Sequence, residues 1–146
     1  MALAFDRGEM FGHDKPAGVP CHRLDGFSCS IHADLSQKGY RGCVAFDCLG
    51  AGQRVTALFS DSWQTTPALT APMMSAFRAM RAVQDLHQML EAARVLSLPE
   101  AKRAELAAWI AAAVAAKTDL ESLRNFEAKP GRDWLKTLAP FVKQAG

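Results

Sequence analysis

All four cysteines of this 146-residue chain lie between Cys21 and Cys48, and eight of its ten glycines lie between Gly8 and Gly52. Beyond residue 60 only Gly131 and Gly146 remain. Glycine frees the backbone and adds no side chain to a core, so the first part must rely on loops and on something other than apolar packing. The second part has the opposite grammar, being rich in alanine, leucine and methionine at helical spacing. The sequence therefore predicts a mainly α protein: a small helical bundle over residues 61–146 with an irregular cysteine/glycine-rich N-terminal cap over residues 1–60. The two parts have no Gly/Ser or Pro-rich linker between them and are expected to share a core.

Met73, Phe77, Met80, Val83, Leu86, Leu90 and Ala93 recur at steps of three and four, the stripe of a buried helix face. Thr70 is placed to cap that helix and Pro72 to occupy its first turn. Ser97-Leu98-Pro99-Glu100 reads as a capping-box start for the next helix. Nine of the sixteen residues from Ala101 to Ala116 are alanine, which gives high helix propensity, with Leu106, Trp109, Ile110 and Ala113 facing the first helix. The short gap between the two makes them an antiparallel hairpin. Thr118 to Glu121 predicts a short third helix, and Lys129-Pro130-Gly131 a chain break. A last helix with Trp134, Leu138 and Phe141 on its apolar side follows, bent or ended by Pro140. In the first part, Cys43–Phe46 and Arg54–Phe59 read as short strands or extended segments, and Gly50-Ala51-Gly52 as a turn.

The cysteines are spaced Cys21-x7-Cys29-x13-Cys43-x4-Cys48, with His32 three residues after the second. Thiolates are soft, strongly donating ligands, and four of them close a tetrahedral Zn2+ site or hold an iron–sulfur cluster. A metal would also supply what a glycine-rich stretch lacks, an organising centre. The candidate ligands are Cys21, Cys29, Cys43 and Cys48, with His32 as the best spare. Two plainer readings stand beside this one: ordinary buried thiols that fill space, and disulfides, which a chain without a leader argues against. His22 reads as exposed or supporting a ligand, His13 as an exposed pair with Asp14, and His87 as a core or boundary histidine.

Asp14-Lys15-Pro16-Ala17-Gly18-Val19-Pro20-Cys21, Leu24, Cys29-Ser30-Ile31-His32, Gly42-Cys43 and Phe46-Asp47-Cys48-Leu49-Gly50-Ala51-Gly52-Gln53 also carry a resemblance. Together they resemble the bacterial cysteine-cluster proteins described as zinc- or iron-chelating domains, in the subgroup often labelled pentapeptide-repeat proteins. The likeness covers residues 2 to about 60 closely and the helical part only in general character. It implies metal chelation by the cysteines. Members of that subgroup carry a further cysteine block just before the segment matching Ala2-Leu3-Ala4-Phe5, and this chain starts at Met1, where that block ends. Either the start is assigned downstream of that block or this member has lost half of its cysteines; the four at Cys21, Cys29, Cys43 and Cys48 are enough for one metal ion.

Seventeen Lys and Arg against fifteen Asp and Glu leave a formal charge of +2, which gives no footprint for nucleic acid or an acidic membrane surface. The longest apolar run, Ala107–Ala116, is too short to span a bilayer. Asp6, Arg7 and Glu9 interrupt the first ten residues, unlike a secretory signal. A cytoplasmic protein is expected, with no nucleic acid and no membrane as partner and no particular protein partner indicated. No Ser–His–Asp, His-Glu-x-x-His or phosphate-loop pattern argues for an enzyme. The reading from a different class is a helical protein-interaction domain whose cysteines are plain buried thiols. Thiol redox activity, with Cys43 and Cys48 as a pair, is a third.

Overall fold

A computed structural model of the protein describes residues 3–142. The fold is mainly α. The chain divides into two compact units, Met1–Asp47 and Cys48–Gly146. Among the described residues no helix is long and apolar enough to cross a membrane.

The second unit is built on one long helix, α3 (Thr70–Ala92), which packs against α2 (Ala51–Ala57), α4 (Glu100–Ala115), α5 (Leu120–Asn125) and α6 (Ala128–Lys136). The sequence stripe is the face it buries: Met73, Phe77, Met80, Val83, Leu86 and Leu90 are all buried, joined by Ala76 and, just past the helix, Ala93. Burying such side chains stabilises by about 1.5–3 kcal/mol each, so this row dominates the unit. Leu106, Ile110 and Ala113 of α4 and Leu123 of α5 complete the core, while Trp109 is half-buried. A short helix, α7 (Ala139–Val142), follows Leu138, which is buried.

Three helix starts differ from the sequence expectation by one or two residues. A single 3-10 turn, Pro67–Leu69, feeds α3, so Leu69 is the cap and Thr70 is already helical. Pro99, in an extended conformation, precedes α4, and Ser97 makes no capping bond. At α5 the cap is Asp119, not Thr118; its carboxylate accepts the Ser122 N–H at 2.8 Å. The expected break at Lys129-Pro130-Gly131 is instead the first half of α6. Pro130 falls in the first turn, where its missing N–H has no intrahelical partner to lose. Gly131 is required there by packing: a Cβ would lie 2.7 Å from Leu86 Cδ2. An ion pair between Arg132 and Asp85 at 2.6 Å ties α6 to α3.

The first unit has little regular structure. An antiparallel pair, β1 (Leu24–Asp25) and β2 (Ser28–Cys29), sets Leu24 opposite Cys29 and Asp25 opposite Ser28. Gly26 takes φ +55 in the connecting turn, a conformation that favours glycine. The segments read as strands at Cys43–Phe46 and Arg54–Phe59 are largely helical: α1 (Arg41–Ala45) and α2. Short range explains the error, because five to seven residues carry too little periodicity to separate helix from strand. In the first unit only Ile31 and Tyr40 are buried hydrophobics among the described residues.

Candidate metal centre

The first unit is held by contacts that converge on His13. Phe5 and Lys15 exchange backbone hydrogen bonds, Phe5 N–H to Lys15 O at 3.0 Å and Lys15 N–H to Phe5 O at 2.7 Å, closing the loop between them. Inside that loop Phe5 stacks on Phe11 with ring centres 4.2 Å apart, and Phe5 meets the His13 ring edge-on at 5.0 Å. Gly42 of α1 lets the Phe11 ring approach its backbone, since any Cβ there would overlap that ring.

His13 is fixed by Tyr40. The Tyr40 hydroxyl and His13 Nδ1 are 3.0 Å apart, and Tyr40 is buried. The other ring nitrogen, Nε2, is buried and has no hydrogen-bond partner. An unpartnered buried ring nitrogen costs about 1–3 kcal/mol, so this face of the ring is suited to a hydrogen-bond donor or a metal. The His22 ring lies 4.1 Å from the His13 ring, and a ligand atom of each of His13, Cys21 and His22 lies within 4.8 Å of the others. Burial, then His22 and Arg23, hold the His13 imidazole below its ordinary pKa, in the neutral form that binds metals.

Cys21 is the sulfur of that group, and it also lines a wider cavity with two further thiols that lie outside the group. The chain turns at Cys21, whose carbonyl accepts the Leu24 N–H at 2.9 Å and whose Sγ accepts the Arg23 N–H at 3.5 Å. Strand β2 carries Cys29, and α1 carries Cys43. Cys21, Cys29, Cys43 and His32 all line one cavity of about 390 Å3, with Lys15 and Arg23 and apolar walls that include Phe5, Phe11 and Leu24. Burial raises the Cys43 thiol, and the charges of Cys21 and Cys29 raise it further. All four cysteines are free thiols; Cys21, Cys29 and Cys48 are half-buried and Cys43 is exposed.

Of the five residues singled out by spacing, the structure brings Cys21, Cys29, Cys43 and His32 to this cavity. Cys48 belongs to the second unit, where its carbonyl accepts the Ala51 N–H at the start of α2. Gly50 in that turn takes φ +75. The sequence reading missed His13 and His22 as members of the group. His13 does not pair with Asp14, whose carboxylate instead accepts the Arg7 N–H at 2.6 Å. The one available signal was His22 beside Cys21; nothing local linked His13 to Tyr40, 27 residues away.

No protein-family model matches the chain, and no solved structure matches it. It is 40% identical over 93 residues, 62% of its length, to a curated relative named uncharacterized protein YybG from Bacillus subtilis (strain 168). The matched stretch is 32% of that relative, so the chain spans about a third of its length.

Proposed function

We propose that the first unit is a zinc-binding module in which Cys21 is the central ligand of a donor set completed from His13, His22, Cys29 and Cys43. One observation carries the reading: His13 Nε2 is buried without a partner beside Cys21 and His22, while its Nδ1 is held by Tyr40. A ligating histidine held at its other nitrogen is the usual outer arrangement of a zinc site. Mixed imidazole and thiolate donors suit zinc, whereas iron–sulfur clusters are held mainly by thiolates. A unit with only two buried hydrophobic residues among those described also gains an organising centre from a metal. The structure groups three donors, His13, Cys21 and His22; a fourth drawn from Cys29 or Cys43 would close the site, and the zinc would then be structural. The resemblance to cysteine-cluster proteins points the same way.

The test is titration of the reduced protein with Zn2+ and with Co2+, whose absorption reports tetrahedral coordination and thiolate bonds. One metal per chain is expected, with binding lost in Cys21→Ser, weakened in His13→Ala and kept in Cys48→Ser. A wild-type protein that takes no metal, or a Cys21→Ser variant that binds like the wild type, overturns the proposal.

A further inference from the structure

The large apolar side chains of the first unit do not form a core. Ile31 and Tyr40 are its buried hydrophobics among the described residues, and neither lines the cavity of about 390 Å3. Phe5, Phe11, Leu24, Leu35 and Phe46 gather around that cavity instead; the first four are half-buried and Phe46 is 39% exposed. The stacked Phe5–Phe11 pair forms one piece of wall, and it closes on the lining residue Gly42, where a Cβ would overlap the Phe11 ring. Cys29 and Cys43, which lie outside the His13–Cys21–His22 group, line the cavity as small soft side chains. Small-molecule sites have volumes of about 300–1,000 Å3 and are mostly apolar, with a few polar groups that fix the ligand's orientation.

The polar groups of this cavity have one sign. Among the described residues no Asp or Glu lines it, and the lysine and arginine that do are Lys15 and Arg23. The Lys15 ammonium is held by main-chain acceptors, Val19 O at 2.7 Å and Pro16 O at 3.4 Å. Arg23 is exposed, and none of the ion pairs among the described residues includes it. Its backbone is fixed beside the cavity, since its carbonyl accepts the Ser30 N–H at 2.8 Å. A guanidinium is always charged and offers two parallel N–H groups that match a carboxylate, so one arginine suits a monoanion. We infer that the cavity binds a small amphiphilic carboxylate, its apolar tail among Phe5, Phe11, Leu24 and Leu35 and its head on Arg23. This goes beyond the zinc reading and does not depend on it: of His13, Cys21 and His22, only Cys21 reaches the cavity.

Calorimetry on the full chain measures binding of decanoate, of decylamine, which has the same tail and a cationic head, and of propionate, which has the head alone. Decanoate is expected to bind once per chain and at least about tenfold more tightly than either. Arg23→Gln should weaken decanoate at least about tenfold and leave decylamine unchanged. Leu35→Trp, which fills the cavity, should lose decanoate. In an amide NMR spectrum decanoate should shift Leu24, Cys29, Gly42 and Cys43 and leave α3 to α6 unmoved. Should Leu35→Trp fail to fold, Arg23→Gln and the amide shifts decide. Decylamine bound as tightly as decanoate, or an Arg23→Gln variant that binds decanoate like wild type, overturns the carboxylate site. Propionate bound as tightly as decanoate, or amide shifts confined to the second unit, overturns the cavity as the place of binding. A protein that binds no decanoate overturns the whole inference and leaves the zinc reading to its own titration.

Discussion

Two helical glycines that the sequence treats alike are expected to respond to alanine with opposite signs. Gly131 lies in α6, where a new methyl would sit 2.7 Å from Leu86 Cδ2 and 3.2 Å from Trp109 Cε3. Leu86 is fully buried in the α3 stripe and cannot swing into solvent. Overpacking of this kind costs about 1–3 kcal/mol, against a helix-propensity gain of at most about 1 kcal/mol, so Gly131→Ala should lose roughly 1–2 kcal/mol. Gly52 lies in α2 with its nearest such neighbour, Phe77, at 4.0 Å, an ordinary contact. There only the propensity gain remains, and Gly52→Ala should gain a few tenths of a kcal/mol to about 1 kcal/mol. Urea unfolding followed by the helical circular-dichroism signal measures both, read as shifts in midpoint at constant slope. A Gly131→Ala protein as stable as wild type would show that α6 does not pack on Leu86 and Trp109 as described. A destabilised Gly52→Ala would refute the argument from open space.

Asp133 accepts hydrogen bonds from Lys129 and Lys136, which hold its carboxyl down to about 2. Because the folded value lies below the ordinary 3.8, its contribution is complete above that value and is lost as pH falls towards about 2. Asp133→Asn should therefore flatten part of the decline in melting temperature between pH 4 and pH 2; an unchanged pH profile would show that these exposed pairs contribute nothing. Tyr40→Phe removes the hydroxyl that holds His13 Nδ1 while keeping the buried ring. Zinc affinity should fall by about 10–100-fold, and an unchanged affinity would mean that Tyr40 does not orient a ligand.

The helical unit was legible because α3 is long. Twenty-three residues repeat the apolar step often enough to name the buried face, and every named residue is buried, with Ala76 beside them. Its boundaries were less legible, since Leu69 and Pro99 precede their helices without a side-chain cap and Asp119 caps through a carboxylate that local patterns rank equally with Thr118. Pro130 and Gly131 look like a break in one dimension, yet Gly131 is present because Leu86 and Trp109 occupy the space of its side chain. Sequence spacing likewise pointed to the thiols but not to His13. Its place depends on Tyr40 and on the Phe5–Lys15 bridge, long-range contacts that leave no periodic trace. Lys15 reads as an ordinary surface cation until its burial is seen.

The central claim is that the first unit holds a zinc ion through Cys21 and the donors around it. Elemental analysis of protein purified without chelator and under reducing conditions, with its absorbance spectrum, tests that claim. The account predicts about one zinc per chain and no visible absorption. Protein that emerges without metal and remains metal-free when dialysed against micromolar zinc would contradict it; iron with sulfide-to-iron bands would replace the zinc site with a cluster.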